Sequence, residues 1–209
     1  MALQLRKRFF AWFMSGGGSD YDDIIAGHKR RLFSELSGEV LEIGPGSGAN
    51  LSYLATRHDV RWVGIEPNPF MHKYLLAEAA RLGVRADVRA GTAEAIEAPS
   101  GSVDAVVCTH VLCSVADQQA ALREVLRVLK PGGRFAFLEH VAAPRGTRLR
   151  TAQNMVRPAW QFIADGCQPN RETWQALESA GFAHLSLERF PVAAPFVSPH
   201  IAGMATKAG

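Results

Sequence analysis

Cysteine is scarce in this chain: three residues in 209, at Cys108, Cys113 and Cys167, an odd number with no C-x-x-C spacing. That scarcity argues for a reducing compartment and against a disulfide framework or a zinc site. Long apolar runs are lacking as well. The continuous run Phe9–Met14 is too short for a signal-peptide core and far too short to span a bilayer. Neither sign of charge dominates, since 23 Lys and Arg face 20 Asp and Glu for a net +3. With no basic stripe carrying interleaved aromatics in the body of the chain, nucleic acid is not an expected partner. No internal repeat stands out, and 47% hydrophobic composition fits one globular domain with a sizeable core.

What is present begins with residues 40–50, Val-Leu-Glu-Ile-Gly-Pro-Gly-Ser-Gly-Ala-Asn. An apolar strand runs into a turn with Gly44, Gly46 and Gly48, where the backbone can bend sharply and approach a ligand with no Cβ in the way. The segment from Asn50 to Ala55 can then start a helix with its free N–H groups aimed at a bound group. The loop alone is ambiguous, because Gly44, Gly46 and Ala49 also satisfy a relaxed dinucleotide fingerprint.

Alternation of strands and helices follows. Val40–Ile43 reads as a first strand with a helix to about His58, and Arg61–Ile65 as a second strand ending at Glu66. Asn68 caps a helix with Pro69 at its first position and Gly83 after its end. Val84, Ala86 and Val88 alternate as a third strand, and Val103–Cys108 is a fourth. Leu122, Val125, Leu126 and Leu129 mark one face of a helix stopped by Pro131-Gly132-Gly133, before a fifth strand at Arg134–Glu139. Thr147–Ala164 reads as helical, with Pro158 expected to kink it or break it in two. Asn170 caps a helix over Arg171–Ala180, and Ala183–Arg189 and Ile201–Lys207 form a closing hairpin. The pattern predicts a single doubly wound α/β fold: a mostly parallel seven-stranded sheet with an antiparallel last strand. Such a hairpin is not the usual dinucleotide-binding arrangement.

The carboxyl ends of these strands carry Glu42 with the glycine loop, Glu66, Thr92-Ala93-Glu94, Thr109-His110 and Glu139-His140. Ligands of open α/β sheets bind at that edge, and Glu66 lies 18 residues past Gly48, where an acid can accept hydrogen bonds from a ribose diol. Together with Gly91–Glu94, Asp104 and Leu129-Lys130-Pro131-Gly132-Gly133, these motifs resemble a class I S-adenosylmethionine-dependent methyltransferase over residues 38–140. Val107–Thr109, Val111–Val115, Glu139–Ala142, Asp165-Gly166-Cys167, Arg171–Trp174 and Pro199–Ile201 further resemble the methyltransferase-like seven group, small membrane-associated thiol S-methyltransferases. Two departures stand out. The N-terminal apolar segment is much shorter than that group's membrane anchor, and His110 stands where the group tends to be apolar.

The resemblance implies S-adenosyl-L-methionine as cofactor and an in-line methyl transfer to a small apolar acceptor, most readily a thiol. It implies that Gly44, Gly46 and Gly48 hold the methionine part, Glu66 the ribose, and Ala93 and Glu94 the adenine. Glu42, Asn50, Pro67, Thr92 and Thr109 are expected around the same ligand, with Tyr21 closing over it by family analogy. A thiol needs little help as nucleophile, so a base is useful rather than required. His140 is the first candidate, then Asp165 and His200; each has a plain structural alternative as a hydrogen-bonded or bracing residue. Cys113 and Cys167 read as packing residues, and no metal is expected. Trp160, Phe162, Phe196 and Val197 either wall an apolar pocket or pack in the core.

Residues 1–19 read as a basic amphipathic segment and a Gly-rich hinge at Ser15–Ser19, ahead of a methyltransferase domain over 20–209. Leu5, Phe9, Trp12 and Phe13 beside Arg6, Lys7 and Arg8 suit a helix lying on a membrane surface, or equally a lid over the site. The expected setting is cytoplasmic, with residues 1–14 as the peripheral membrane contact. Rival functions are N- or O-methylation of an aminolipid or other small molecule, and a non-catalytic cofactor-binding protein.

Overall fold

The computed structural model describes residues 2–15 and 20–209, with the side chains of residues 2, 3, 13, 15 and 20–24 left out of the description. Helices α1 (Ala2–Ser15) and α2 (Asp20–Ser34) precede β1 (Gly38–Ile43), α3 (Leu51–Leu54), β2 (Val60–Ile65), α4 (Pro69–Leu82) and β3 (Asp87–Arg89). Then come β4 (Val103–Thr109), α5 (Gln118–Val128), β5 (Leu129–His140), α6 (Arg148–Ile163), α7 (Thr173–Glu178), β6 (His184–Pro191) and β7 (Pro199–Thr206). The seven strands form one sheet in the order β3-β2-β1-β4-β5-β7-β6. Pairing is parallel from β3 through β5, and β7 runs antiparallel to both β5 and β6.

Strand side chains alternate between faces, and the central strands are buried on both. Leu41 and Ile43 of β1 therefore join one apolar cluster, with Val125 and Val128 of α5 and Leu177 of α7. Val40 of the same strand joins the other, with Phe33 of α2, Leu51 and Leu54 of α3 and Leu75 of α4. The ladder is pinned below the site by Asp104, which accepts from the Glu39 N–H at 2.8 Å and from Lys130 Nζ at 2.7 Å.

Most expected elements are found, and the departures have local causes. Asn68 caps α4 through the Phe70 N–H, and Gly83 closes it in the left-handed conformation. The helix expected to reach His58 stops at Leu54. There Arg57 turns away, its guanidinium held by the Phe33 carbonyl and by Asp59. The third strand shrinks to Asp87–Arg89, an edge segment paired on one side only. β5 starts earlier than expected because Leu129 pairs with Val103 and Lys130 is drawn to Asp104.

Pro158 neither breaks nor splits α6, which runs as one helix through it. Pro158 and Asn154, whose carbonyl loses its helical N–H partner, both face solvent. Asn170 does not cap α7: its amide bonds Asn154, Arg171 is bound to the Leu112 carbonyl, and the helix begins only at Thr173. The expected hinge beyond Ser15, residues 16–19, lies outside the described residues, as does the boundary at 19/20.

Candidate functional site

Strands β1, β2 and β4 end side by side, with Ile43 in register with both Ile65 and Cys108. The chain leaving β1 turns at once, with φ of +62° at Gly44, +57° at Gly46 and +94° at Gly48. These left-handed values favour glycine because a Cβ would collide with the following carbonyl. Glu66, just past β2, fixes the turn. One carboxylate oxygen accepts from the Gly46 N–H at 2.9 Å and the other from the Asn68 N–H at 2.8 Å. Burial raises its pKa, against the lowering effect of those two N–H groups. Each oxygen keeps a lone pair for a further donor.

Beside it lies a buried polar knot. Glu42 accepts from Asn50 Nδ2 and from Trp62 Nε1, both at 2.8 Å. Burial pushes the Glu42 pKa to about 7, although Trp62, Asn50 and the Lys29 ammonium all pull it down. Asn50 Nδ2 also reaches Thr109 Oγ1 at 3.0 Å, while Asn50 Oδ1 is buried with no hydrogen-bond partner.

These groups open onto a cavity of about 640 Å3. Glu42, Gly44, Gly46, Asn50, Glu66, Pro67, Thr92, Ala93, Glu94 and Thr109 all line it, as the sequence led us to expect. Gly48 does not line it. Its carbon is packed toward Leu51 and Glu78, so it shapes the turn from behind. The Tyr21 side chain is outside the described residues. Glu94 is held by the Ala116 N–H at 2.8 Å.

Helix α1 covers the cavity. Phe10 and Met14 line it, while Leu5, Phe9 and Trp12 are 69%, 53% and 62% exposed. The lid and the outward apolar face are thus two sides of one helix. Its latch is Asp165, which accepts from Arg6 Nη2 at 3.3 Å and from Asn68 Nδ2 at 3.4 Å, with the Lys7 carbonyl also on Asn68.

Of the three candidate bases, only Asp165 stands in the cavity wall; His140 and His200 sit behind it. The reason is the strand end: β5 and β7 pair His140 with His200, and His110 fills the space in front of both. His110 lines the cavity, with φ of +57° and its ring 5.4 Å from that of His200 and 6.1 Å from that of His140. Burial, and then its two histidine neighbours, hold its pKa well below the usual imidazole range, so it is neutral. The sequence marked it as a strand-end residue and as a departure from the resembled group, but gave it no role. Burial likewise lowers His200 to about 4, with Nδ1 held 3.1 Å from the Ser198 carbonyl oxygen.

Cys167 is buried, as a packing residue is, and it also has polar partners. Its sulfur lies 3.0 Å from His140 Nε2 and accepts from Trp160 Nε1 at 3.3 Å. Hydrogen bonding from Cys113 outweighs burial and, with His140, lowers its pKa to about 4. Burial alone would lower the His140 pKa, but this partner raises it. Glu139, named from the sequence only as a strand-end residue with no role, is fully buried and accepts from the N–H groups of Val111, Leu112 and Cys113 at 2.8–3.3 Å. It fixes the turn that carries both His110 and Cys113. Trp160, Phe162, Phe196 and Val197 do not wall the cavity; Trp160 and Phe196 pack against each other, and Phe162 is exposed.

Residues 41–137 match the methyltransferase domain family. Human thiol S-methyltransferase TMT1A is 42% identical over 96% of this chain and 87% of its own length. Human thiol S-methyltransferase TMT1B is 38% identical over 97% of this chain and 88% of its own. The chain belongs to the thiol S-methyltransferase family. Among solved structures, the YcgJ protein of Bacillus subtilis aligns with a TM-score of 0.70 at 18% identity, over 88% of this chain and 99% of that one. A sarcosine dimethylglycine methyltransferase homologue from Galdieria sulphuraria aligns at 0.72 and 14%, over 97% and 98%. Both show the shared α/β fold. The protein is an S-adenosylmethionine-dependent methyltransferase.

The residues present fit that cofactor. Asn50 Oδ1 is a buried acceptor waiting for a donor, Glu66 retains acceptor capacity at the strand end, and the glycine turn leaves its backbone open to the cavity.

Proposed function

We propose that this enzyme moves the methyl group of S-adenosylmethionine to the sulfur of a small apolar thiol. In this reading the Gly44–Gly46 backbone holds the methionine part, and Asn50 Oδ1 with Glu42 receives its ammonium. Glu66 accepts from the ribose hydroxyls, and Thr92, Ala93 and Glu94 flank the adenine, with Pro67 and Thr109 completing the wall. When bound, the cofactor supplies an electrophilic sulfonium methyl group.

One observation carries the acceptor assignment, alongside the kinship with thiol S-methyltransferases. The acids Glu42, Glu66 and Glu94 all accept hydrogen bonds from the protein itself. Among the described residues of the wall, His110 is neutral and Asp165 already accepts from Arg6 and Asn68. So sparse a set suits a nucleophile that needs little activation. A thiol, with a pKa of about 8.5, is already a few per cent thiolate near neutrality. Phe10, Ile43, Met71, Val111 and Val115 give the wall an apolar stretch, beside the polar Lys29, Ser47, Asn68 and Ser114. Holding the two reactants in line there supplies roughly 7–11 kcal/mol of the barrier.

We place the enzyme in a reducing, cytoplasmic setting with the outer face of α1 resting on a membrane. Exposed Leu5, Phe9 and Trp12 join Phe162 and Ile163 around a second groove that also carries Arg8 and Lys73. Apolar anchors beside cations suit an anionic lipid surface. Among the described residues, no helix is long and apolar enough to cross a membrane.

The test is S-adenosylhomocysteine release by purified protein given S-adenosylmethionine and either a small alkyl thiol or aminolipid vesicles, with products identified by mass. A methylated thiol is expected. Turnover with the aminolipid alone would overturn the acceptor, and cofactor binding without turnover on either would favour a non-catalytic role.

A further inference from the structure

Three side chains that the methyl transfer does not use meet at one buried spot behind the cavity wall. Cys113 comes from the turn after β4, His140 from the end of β5 and Cys167 from the loop after α6. One ligand atom from each lies within 4.8 Å of the others, and the His140 Nε2–Cys167 Sγ distance is 3.0 Å. All three residues are buried. The cysteine count and spacing argued against such a site, because they register only donors close in sequence; here the fold assembles donors from positions 113, 140 and 167. We propose that Cys113, His140 and Cys167 form a binding site for a soft divalent cation of the zinc class, with a fourth position open to a further ligand.

The chemistry of the set favours this. Two thiolates and an imidazole are the donors that select zinc over hard cations, and two thiolate charges neutralise a divalent ion in a buried place. Zinc–ligand bonds of about 2.0–2.3 Å put tetrahedral donors roughly 3.3–3.8 Å apart, so the His140–Cys167 pair at 3.0 Å would spread slightly and the wider pairs, at most 4.8 Å, would close by about an ångström.

The two cysteines are also held in place. Glu139 anchors the Cys113 N–H, Trp160 Nε1 donates to the Cys167 sulfur, and the Gln168 N–H donates to the Cys113 carbonyl at 3.0 Å, tying the two cysteine segments together. Such outer partners orient ligands in built sites. Ser114 Oγ, 3.5 Å from the Cys113 sulfur, and water are available for the fourth position. Ser114, next to Cys113 in sequence, and Asp165, two residues before Cys167, line the cavity. A bound ion would therefore clip together the segments that form the wall.

The experiment uses the full chain, reduced with a phosphine and stripped with a chelator, then titrated with cobalt(II). One equivalent should bind, with a thiolate-to-cobalt charge-transfer band and tetrahedral visible bands that zinc(II) abolishes. Cys113→Ser and Cys167→Ser should each lose the charge-transfer intensity while still binding S-adenosylhomocysteine, which shows that they fold. Cys108→Ser, whose sulfur sits on Glu139 outside the cluster, should keep the bands. Absence of the bands in the reduced wild type, or their survival in both serine variants, overturns the site. Neither result depends on which acceptor is methylated.

Discussion

The floor of the cavity and its cover are held by different kinds of bond. On the floor, Glu66 bonds Asn68 and Gly46, Glu42 bonds Asn50 and Trp62, and the partners are 2 to 20 residues apart in sequence. On the cover, Asp165 bonds Asn68 across 97 residues and Arg6 across 159. The floor is buried, with both oxygens of each acid occupied, whereas the Arg6–Asp165 pair is partly exposed and long at 3.3 Å. The floor is thus a preset part of the sheet edge. The cover is held by one long, partly exposed ion pair and one long hydrogen bond.

That contrast ranks the consequences of breaking each part. Glu66→Ala removes the anchor of Gly46 and Asn68 together with the acceptor assigned to the ribose. Hydrogen bonds to charged groups are worth roughly 1.5–3 kcal/mol each, so S-adenosylhomocysteine affinity should fall about 100-fold by calorimetry. A fall of less than threefold would mean that the floor is not what holds the cofactor.

The same contrast explains what could be read from the sequence. Gly44, Gly46, Asn50, Glu66 and Thr92–Glu94 were legible because a strand end, a tight turn and the next strand end place them by local rules. The mostly parallel sheet and its antiparallel closure were legible for a related reason, since strand–helix alternation and a final hairpin leave few topologies. The cover was not. Nothing local says that Arg6 meets Asp165, that His140 faces Cys167 instead of the cavity, or that His110 fills the space in front of His140 and His200. Glu139 could have been suspected, since an acid ending an apolar strand needs donors, but those donors lie on a turn at residues 111–113.

A second break separates the two faces of the lid. Trp12→Ser alters only the outward face of α1, whereas Phe10 and Met14 face the cavity. A large apolar side chain contributes roughly 1.5–3 kcal/mol on burial, so binding to anionic vesicles in a sedimentation assay should weaken about tenfold. Affinity for S-adenosylhomocysteine should stay the same. Equal loss of both would show that α1 acts as one face only.

Opening the latch itself should have a smaller effect. Partly exposed ion pairs contribute roughly 0.2–1 kcal/mol, so Asp165→Ala should lower S-adenosylhomocysteine affinity about threefold, with the change in the dissociation rate. Arg6→Ala should have a similar effect, and the double variant should fall short of the sum of the two, because each single variant already removes the ion pair they share. Full additivity in stopped-flow dissociation would separate Asp165 from the lid.

The smallest expected effect probes the floor by pH. Burial raises the Glu42 carboxyl from its ordinary 4.5 to about 7, so between those values the folded protein holds a proton that the unfolded chain has released. Stability from this group is therefore full below pH 4.5 and declines as pH rises through 7. Cofactor affinity should run the other way. Ionised Glu42, present above pH 7, attracts the cofactor's ammonium, so S-adenosylhomocysteine should bind about two- to threefold more tightly at pH 8 than at pH 6. Glu42→Gln should flatten that step. It should also destabilise the fold by about 1–3 kcal/mol in denaturant melts, since Trp62 and Asn50 donate to different carboxylate oxygens and the new amide NH2 would face one of these donors. A pH step that survives the substitution would assign the charge to another group and leave Glu42 as support for the loop alone.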